Sequence, residues 1–272
     1  CRDWSSDVCS SDLDYVPHAL WVTLTEKLEA ELVPCSGLVE KLRMVKDEEE
    51  LANMQKAAKI AEAALTEILP LIKPGVTEAF VAIELEIALR RLGSQGLPFA
   101  IIAASGPRSS LPHGRASERE IMVGDFLTLD FGAVYNGYCS DITRTFVVGK
   151  ATEEQRRVYH VVLTAQLGAL AAVRPGILGK DVDKVARDYI TEQGFGERFG
   201  HGLGHGVGRM VHEGPGAGSK SEDTLAVGNV ITVEPGVYIP EWGGVRIEDM
   251  VVVTEAGYRN FNTYSKELIE LG

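Results

Sequence analysis

The sequence predicts an α+β protein of two similar halves, each an antiparallel sheet covered by helices on one side. Three observations carry this. Val123-Gly-Asp-Phe-Leu-Thr-Leu-Asp-Phe-Gly132 and Val227-Gly-Asn-Val-Ile-Thr-Val-Glu-Pro-Gly236 read as one strand pattern used twice, with a carboxylate at the same position of each. The order helix, Pro-Gly, helix, strands also occurs twice, and nearly the same stretch separates Gly75 from Gly176 as Asp130 from Glu234. That is a two-fold duplication and not a solenoid of short repeats. Finally, the strands follow the helices in blocks and do not alternate with them as a parallel sheet requires.

The elements follow in order. Residues 1–13 are rich in Ser, Asp and Cys, lack an initiator Met, and have neither a signal-peptide apolar run nor a strand or helix period. They resemble translated sequencing-adapter read-through more than protein. Residues 14–42 hold a strand-like run, Leu20-Trp-Val-Thr-Leu24, then a helical stretch over 25–32 and a turn over 34–37, too little to make a domain. From residue 43 the chain reads as one large two-part unit. Asp47 with Glu50 forms a capping box for a helix whose stripe is Leu51, Met54, Ala58, Ala61, Leu65 and Ile68. Lys73-Pro-Gly75 precedes a second helix over 77–92 that Gly93 ends, and a strand is expected over 97–104 before the first acid-bearing pair. In the second half Thr152 and Gln155 cap a helix with the stripe Val158, Val162, Ala165, Ala169 and Ala172. Arg174-Pro-Gly176 mirrors the first Pro-Gly, and a helix over 181–193 ends at Gly194.

Strand alternation places Phe126, Thr128 and Asp130 on one face, and Val230, Thr232 and Glu234 on the matching one. Asp141 and Glu248 are expected on the strands that follow, the first with Cys139 and Thr143, the second with Arg246 and Met250. A lone strand acid is ordinarily a solvated surface group. These four sit among apolar residues, where an unpaired buried charge costs several kcal/mol or takes up a proton, so cations are expected to hold them together. His113, His201, His205 and His212 lie in Gly-rich or Pro-Gly contexts that let the backbone approach closely and rings enter a cleft. Gly202-Leu-Gly-His-Gly206 lacks the strand-to-helix setting of a phosphate loop. Carboxylates with one imidazole are hard ligands suited to manganese or cobalt at least as well as zinc, and two divalent ions would balance four carboxylates.

These residues resemble the pita-bread metallopeptidases, which include Xaa-Pro aminopeptidases, Xaa-Pro dipeptidases and methionine aminopeptidases. The likeness runs from about residue 36 to 266. The order Asp130, Asp141, His205, Glu234, Glu248 matches that family's five metal ligands. By this resemblance Asp141 and Glu248 bridge two divalent metals, Mn before Co or Zn, Asp130 completes one, and His205 with Glu234 the other. A hydroxide bridging the metals would attack the peptide bond, Glu234 would shuttle its proton, and His113 and His212 would hold the carbonyl and its oxyanion. His201 and Arg246 point to the Xaa-Pro branch. There His201 would shape the substrate pocket, and Arg246 would orient a carboxylate ligand or the peptide beyond proline, or act as a counter-ion. Arg209-Met210 departs from the Leu-acid pair common in relatives.

The resemblance implies an exopeptidase acting on a peptide or dipeptide with proline in second position. The rivals are a methionine-type aminopeptidase and a non-catalytic binding protein on the same fold. It also implies that residues 14–42 are the remnant of a truncated N-terminal domain, and it leaves room for a homodimer. The net charge of -12 argues against a nucleic-acid surface, and no apolar run could span a bilayer. Four scattered cysteines suggest free thiols and a cytoplasmic setting.

Overall fold

A computed structural model describes residues 16–272 and the backbone of Val8–Asp12. Residues 1–7 and 13–15, where most of the adapter-like expectation falls, lie outside the described residues. The chain divides into two compact units, Cys1–Arg43 and Met44–Gly272.

In the first unit, β1 (Val8–Asp12) pairs in parallel with β2 (Glu31–Cys35), so this part of the N-terminal segment, expected to lack strand character, adopts a strand backbone. Between them runs α1 (His18–Lys27). The expected order, strand then helix, is thus reversed. The β-branched run 22–23 is a weak prior, and the local backbone favours the helix. The Pro17 carbonyl accepts from the Leu20 and Trp21 N–H groups at 2.9 and 3.0 Å, and the Thr23 and Thr25 hydroxyls donate one turn back to Ala19 and Trp21. Pro34, read as a turn residue, sits inside β2. The unexpected α2 (Leu38–Met44) ends at the unit boundary.

In the second unit α3 (Glu48–Ile68) opens with the expected capping box, Glu50 N–H to Asp47 Oδ1 and Asp47 N–H to Glu50 Oε2, both 2.9 Å. Its expected stripe is buried throughout. Thr77 caps α4 (Glu78–Arg91). Strand β3 covers only Ile102–Ser105, shorter than expected, because Pro98 cannot donate to a ladder. Then come β4 (Phe126–Phe131), a small hairpin of β5 (Val134–Tyr135) and β6 (Tyr138–Cys139), and β7 (Ile142–Val148). The second half holds α5 (Glu153–Ala172), α6 (Gly179–Glu192), β8 (Val230–Val233), β9 (Gly236–Ile239), β10 (Gly243–Arg246), β11 (Asp249–Thr254) and β12 (Gly257–Asn260), before the terminal β13 (Glu270–Leu271). The capping box of α5 forms as expected, and its stripe is buried except at the half-exposed Ala172.

The larger sheets of the second unit run in the orders β13-β7-β4-β3, β12-β11-β8 and β10-β9, antiparallel except that β13 runs parallel to β7. The duplication is written in the backbone bonds. Gly75 donates to Ile121 O and Gly176 to Leu225 O, both at 2.8 Å. Glu78 donates to Arg119 O and Gly179 to Asp223 O, at 3.0 and 2.9 Å. On β4 the residues Leu127, Leu129 and Phe131 pack with Leu65, Leu85 and Leu89 of α3 and α4. On β8, Ile231 and Val233 join Val158, Val162, Val182 and Ile190 of α5 and α6. This burial on the helix side directs the alternate residues of each strand toward a common cleft.

Candidate active site

Asp130, Asp141, His205, Glu234 and Glu248 all line one cleft of about 480 Å³, with His113, His201, His212 and Arg246. Every sequence-predicted site residue is therefore brought together. Of the four acids, however, only Asp130 lies within a strand. Asp141 immediately precedes β7, Glu234 follows β8, and Glu248 sits in the break between β10 and β11. The strand expectation is corrected there, and the physical reason is access: at a strand end a carboxylate escapes the regular pleat and can turn toward its neighbours.

Ligand atoms of Asp141, His205 and Glu248 lie within 4.8 Å of one another. His205 Nε2 is 3.4 Å from Glu234 Oε1 and 3.7 Å from Asp141 Oδ2. Burial, then neighbouring His212, lowers the His205 pKa to about 4, so the ring is neutral and these approaches are not ion pairs. Its Nδ1 lies 3.1 Å from the Gly206 carbonyl, which can only accept; Nδ1 therefore carries the proton and Nε2 keeps a free lone pair facing the acids. The backbone that carries this ring runs tight against β8. A Cβ on Gly204 would come within 2.0 Å of Thr232 O, and one on Gly206 within 2.3 Å of Gly214 O.

The acids cannot all be ionised at such spacing. Burial, then Glu248 and Asp130, holds Asp141 well above the usual carboxylate range. Burial, then Glu234 and Asp130, does the same to Glu248. Burial pushes Glu234 to about 8 against the opposing pull of Arg246. Asp130 Oδ1 and Asp141 Oδ1 are buried without a hydrogen-bond partner. Buried lone pairs, mutually repelling carboxylates and a neutral imidazole with a free nitrogen together make a donor set that fits divalent cations.

Arg246 projects inward, as expected, and is only 3% exposed. Its NH2 donates to Asp130 Oδ2 at 2.7 Å and its Nε to Thr143 Oγ1 at 3.1 Å. Its NH1 donates to Tyr238 Oη at 2.8 Å and to the Pro112 carbonyl at 3.1 Å. His201 Nδ1 donates to Gly202 O at 2.8 Å, which leaves Nε2 to accept from the Tyr238 hydroxyl at 2.8 Å. Burial lowers the His201 pKa to about 4 and raises that of Tyr238 to about 12, so both stay neutral in this chain of bonds.

Sequence reasoning missed Tyr238, whose only signal is its place on the cleft face of β9, and the two threonines that donate to the acids. Thr143 Oγ1 donates to Glu248 Oε2 at 2.6 Å and Thr232 Oγ1 to Glu234 Oε1 at 3.3 Å. Thr128, the counterpart of Thr232, instead bonds Thr145. The His205 and His212 rings meet edge to face at 4.1 Å between centroids, while His113 stands exposed on the loop after β3. Phe99, Ala100, Ile102 and Pro112 form an apolar wall beside it.

The chain is similar to several known proteins. An uncharacterized peptidase of Bacillus subtilis, YqhT, is 51% identical over 243 residues, which cover 89% of this chain and 69% of that protein. The solved structure of an Xaa-Pro dipeptidase from Bacillus anthracis superposes with a TM-score of 0.94 at 48% identity, covering 96% of this chain and 74% of that one. An X-Pro aminopeptidase structure from Thermotoga maritima gives 0.93 at 39% identity, covering 97% and 75%. The model of metallopeptidase family M24 matches residues 52–255, the span that holds every acid and histidine of the cleft. The chain therefore belongs to metallopeptidase family M24 and carries its pita-bread fold.

Proposed function

We propose that the protein is a two-metal exopeptidase that hydrolyses the bond between an N-terminal residue and proline. The observation that carries this is the convergence of four carboxylates and the free Nε2 of a neutral His205 in one cleft with an apolar wall. Asp130, Asp141, His205, Glu234 and Glu248 would hold the two divalent ions, manganese being the first choice for so oxygen-rich a set. When bound, the ions supply Lewis-acid polarisation and lower the pKa of the attacking water.

The residues of the chain do the rest. Glu234 takes a proton from the attacking water and returns it to the departing proline nitrogen, a secondary amine that leaves only once protonated. His113 and His212 donate to the carbonyl oxygen as negative charge grows on it. Arg246 orients Asp130, and Tyr238 holds the His201 ring in the pocket wall. The wall of Phe99, Ile102 and Pro112 suits an apolar proline ring. The names borne by the Bacillus anthracis and Thermotoga maritima proteins support the Xaa-Pro branch over a methionine-type enzyme, and the intact donor set speaks against a non-catalytic binder.

The test is a peptide panel on manganese-loaded protein. Cleavage of Ala-Pro and Ala-Pro-Ala, with Met-Ala and Met-Gly left intact, is the expected result. Preferential release of Met from Met-Ala would overturn the Xaa-Pro reading in favour of the methionine type. No cleavage of any peptide by protein of verified metal content would favour the binder.

A further inference from the structure

The loop between Ser105 and Ser117 carries Pro112, His113 and Arg115 to the cleft, and both its ends are fastened to one side chain. Glu78, the first residue of α4, is fully buried. Its Oε1 accepts from the Ser105 N–H at 2.7 Å and the Ser105 hydroxyl at 2.8 Å. Its Oε2 accepts from the Ser117 hydroxyl at 2.6 Å, the Ser117 N–H at 3.1 Å and Arg108 Nε at 3.0 Å. Arg108 in turn reaches the Arg115 carbonyl. From the opposite side Arg246 NH1 holds the Pro112 carbonyl, and Ser109 Oγ accepts from Gly244 N–H at 2.9 Å. On the α4 side the loop is thus held by this one side chain at both ends, with the Ala79 N–H adding a backbone bond to the Ser117 carbonyl at 2.9 Å.

Burying a carboxylate is costly unless its lone pairs are filled, and helix packing alone does not call for one here. The duplication supplies the control. Gly179 occupies the equivalent backbone position in the second half, where even a Cβ would meet Gly216 O at 2.1 Å. There a different buried acid, Asp183, one helical turn further along α6, serves the other histidine-bearing loop. It accepts from Leu203 N–H at 2.9 Å and from Arg187 Nε at 2.7 Å, and Arg187 donates to the carbonyls of Phe199 and His201. The helix position differs between the halves, but each histidine loop has its own buried acid.

We propose that Glu78 is a positioning residue for His113: by gripping both ends of the 105–117 loop it fixes where the imidazole meets the substrate carbonyl. This rests on the reading of His113 as a carbonyl donor. Glu78→Gln turns one acceptor oxygen into a donor facing donors, so the loop loosens while the metal ligands, on other segments, stay in place. An ångström of misplacement is worth on the order of tenfold to a hundredfold in rate.

The experiment uses the full chain, metal-loaded, with Glu78→Gln and Ser117→Ala, the latter removing one donor and keeping the test open should the buried substitution not fold. Two readouts are taken. Amide hydrogen exchange over residues 106–116 is expected to quicken in both variants at unchanged metal content. In a double-mutant cycle with His113→Ala, each variant is expected to lower kcat with little change in KM in the wild-type background, and to add no loss where His113 is already gone. Wild-type exchange in the folded variants, losses that multiply, or a silent His113→Ala overturns the proposal. If the wild-type chain cleaves no Xaa-Pro peptide, the functional reading fails and loop exchange alone decides whether Glu78 is the clamp.

Discussion

Glu234 and Arg246 carry the sharpest consequences at the level of single residues. Glu234→Gln preserves size but removes the proton shuttle and one negative ligand. With metal content checked, kcat is expected to fall by about two to four orders of magnitude while substrate binding changes little. A kcat within a few-fold of wild type would sink the assignment. For Arg246, residue type and strand face alone leave open whether the guanidinium serves a ligand, the peptide or charge balance. The geometry commits it to Asp130, Thr143, Tyr238 and Pro112 at once. A lysine ammonium cannot span these acceptors. Arg246→Lys is therefore expected to weaken metal affinity as well as kcat/KM, since Asp130 loses its orienting partner; metal titration with unchanged affinity would return Arg246 to a role toward the peptide.

Among the elements, local capping and packing agree, and this agreement made much of the fold legible. The capping boxes at Asp47 and Thr152 and the apolar stripes of α3 and α5 could be read directly, because helix ends and faces are set by residues three and four apart. The short strands were less legible. Asp141, Glu234 and Glu248 sit at strand ends, since pairing depends on partners far along the chain, which a period of two does not reveal. The 18–35 segment is inverted for the same kind of reason: β-branched residues at 22–23 suggest a strand, while the chain after Pro17 closes helical backbone turns instead. One check stays local to α3. Asp47→Ala, on the exposed first turn, removes a cap of about 1 kcal/mol. It is expected to lower Tm by about 2–4 °C with kcat unchanged, and an unaltered melt would show that the capping box does not contribute.

For the whole molecule the consequences come from charge. Asp130 and Glu234 were legible because the duplicated Thr-x-acid pattern repeats them, and Asp141 and Glu248 because each follows in an apolar setting; Tyr238, Glu78 and Asp183 were not, because their partners lie far along the chain or on the backbone and leave no mark in the local pattern. In the metal-free protein the raised pKa of Glu234, about 8 against an ordinary 4.5, and the raised values of Asp141 and Glu248 mean that the folded chain holds more protons than the unfolded one across this window. Stability from the cluster is therefore present below the ordinary carboxylate pKa and is lost as pH rises through the folded value. Chelated protein is expected to melt at a lower temperature near pH 8 than near pH 5, and metal-loaded protein to show much less of this decline. Parallel pH profiles with and without metal would contradict it.

Titration of metal-free protein with manganese, followed by the rate of Ala-Pro hydrolysis and by elemental analysis of the bound ion, tests the central claim most directly. Turnover absent without metal, rising with added ion and reaching its plateau at two ions per chain, is the predicted result. Turnover that persists in verified metal-free protein, or a metal-saturated chain that leaves Ala-Pro intact, would contradict it.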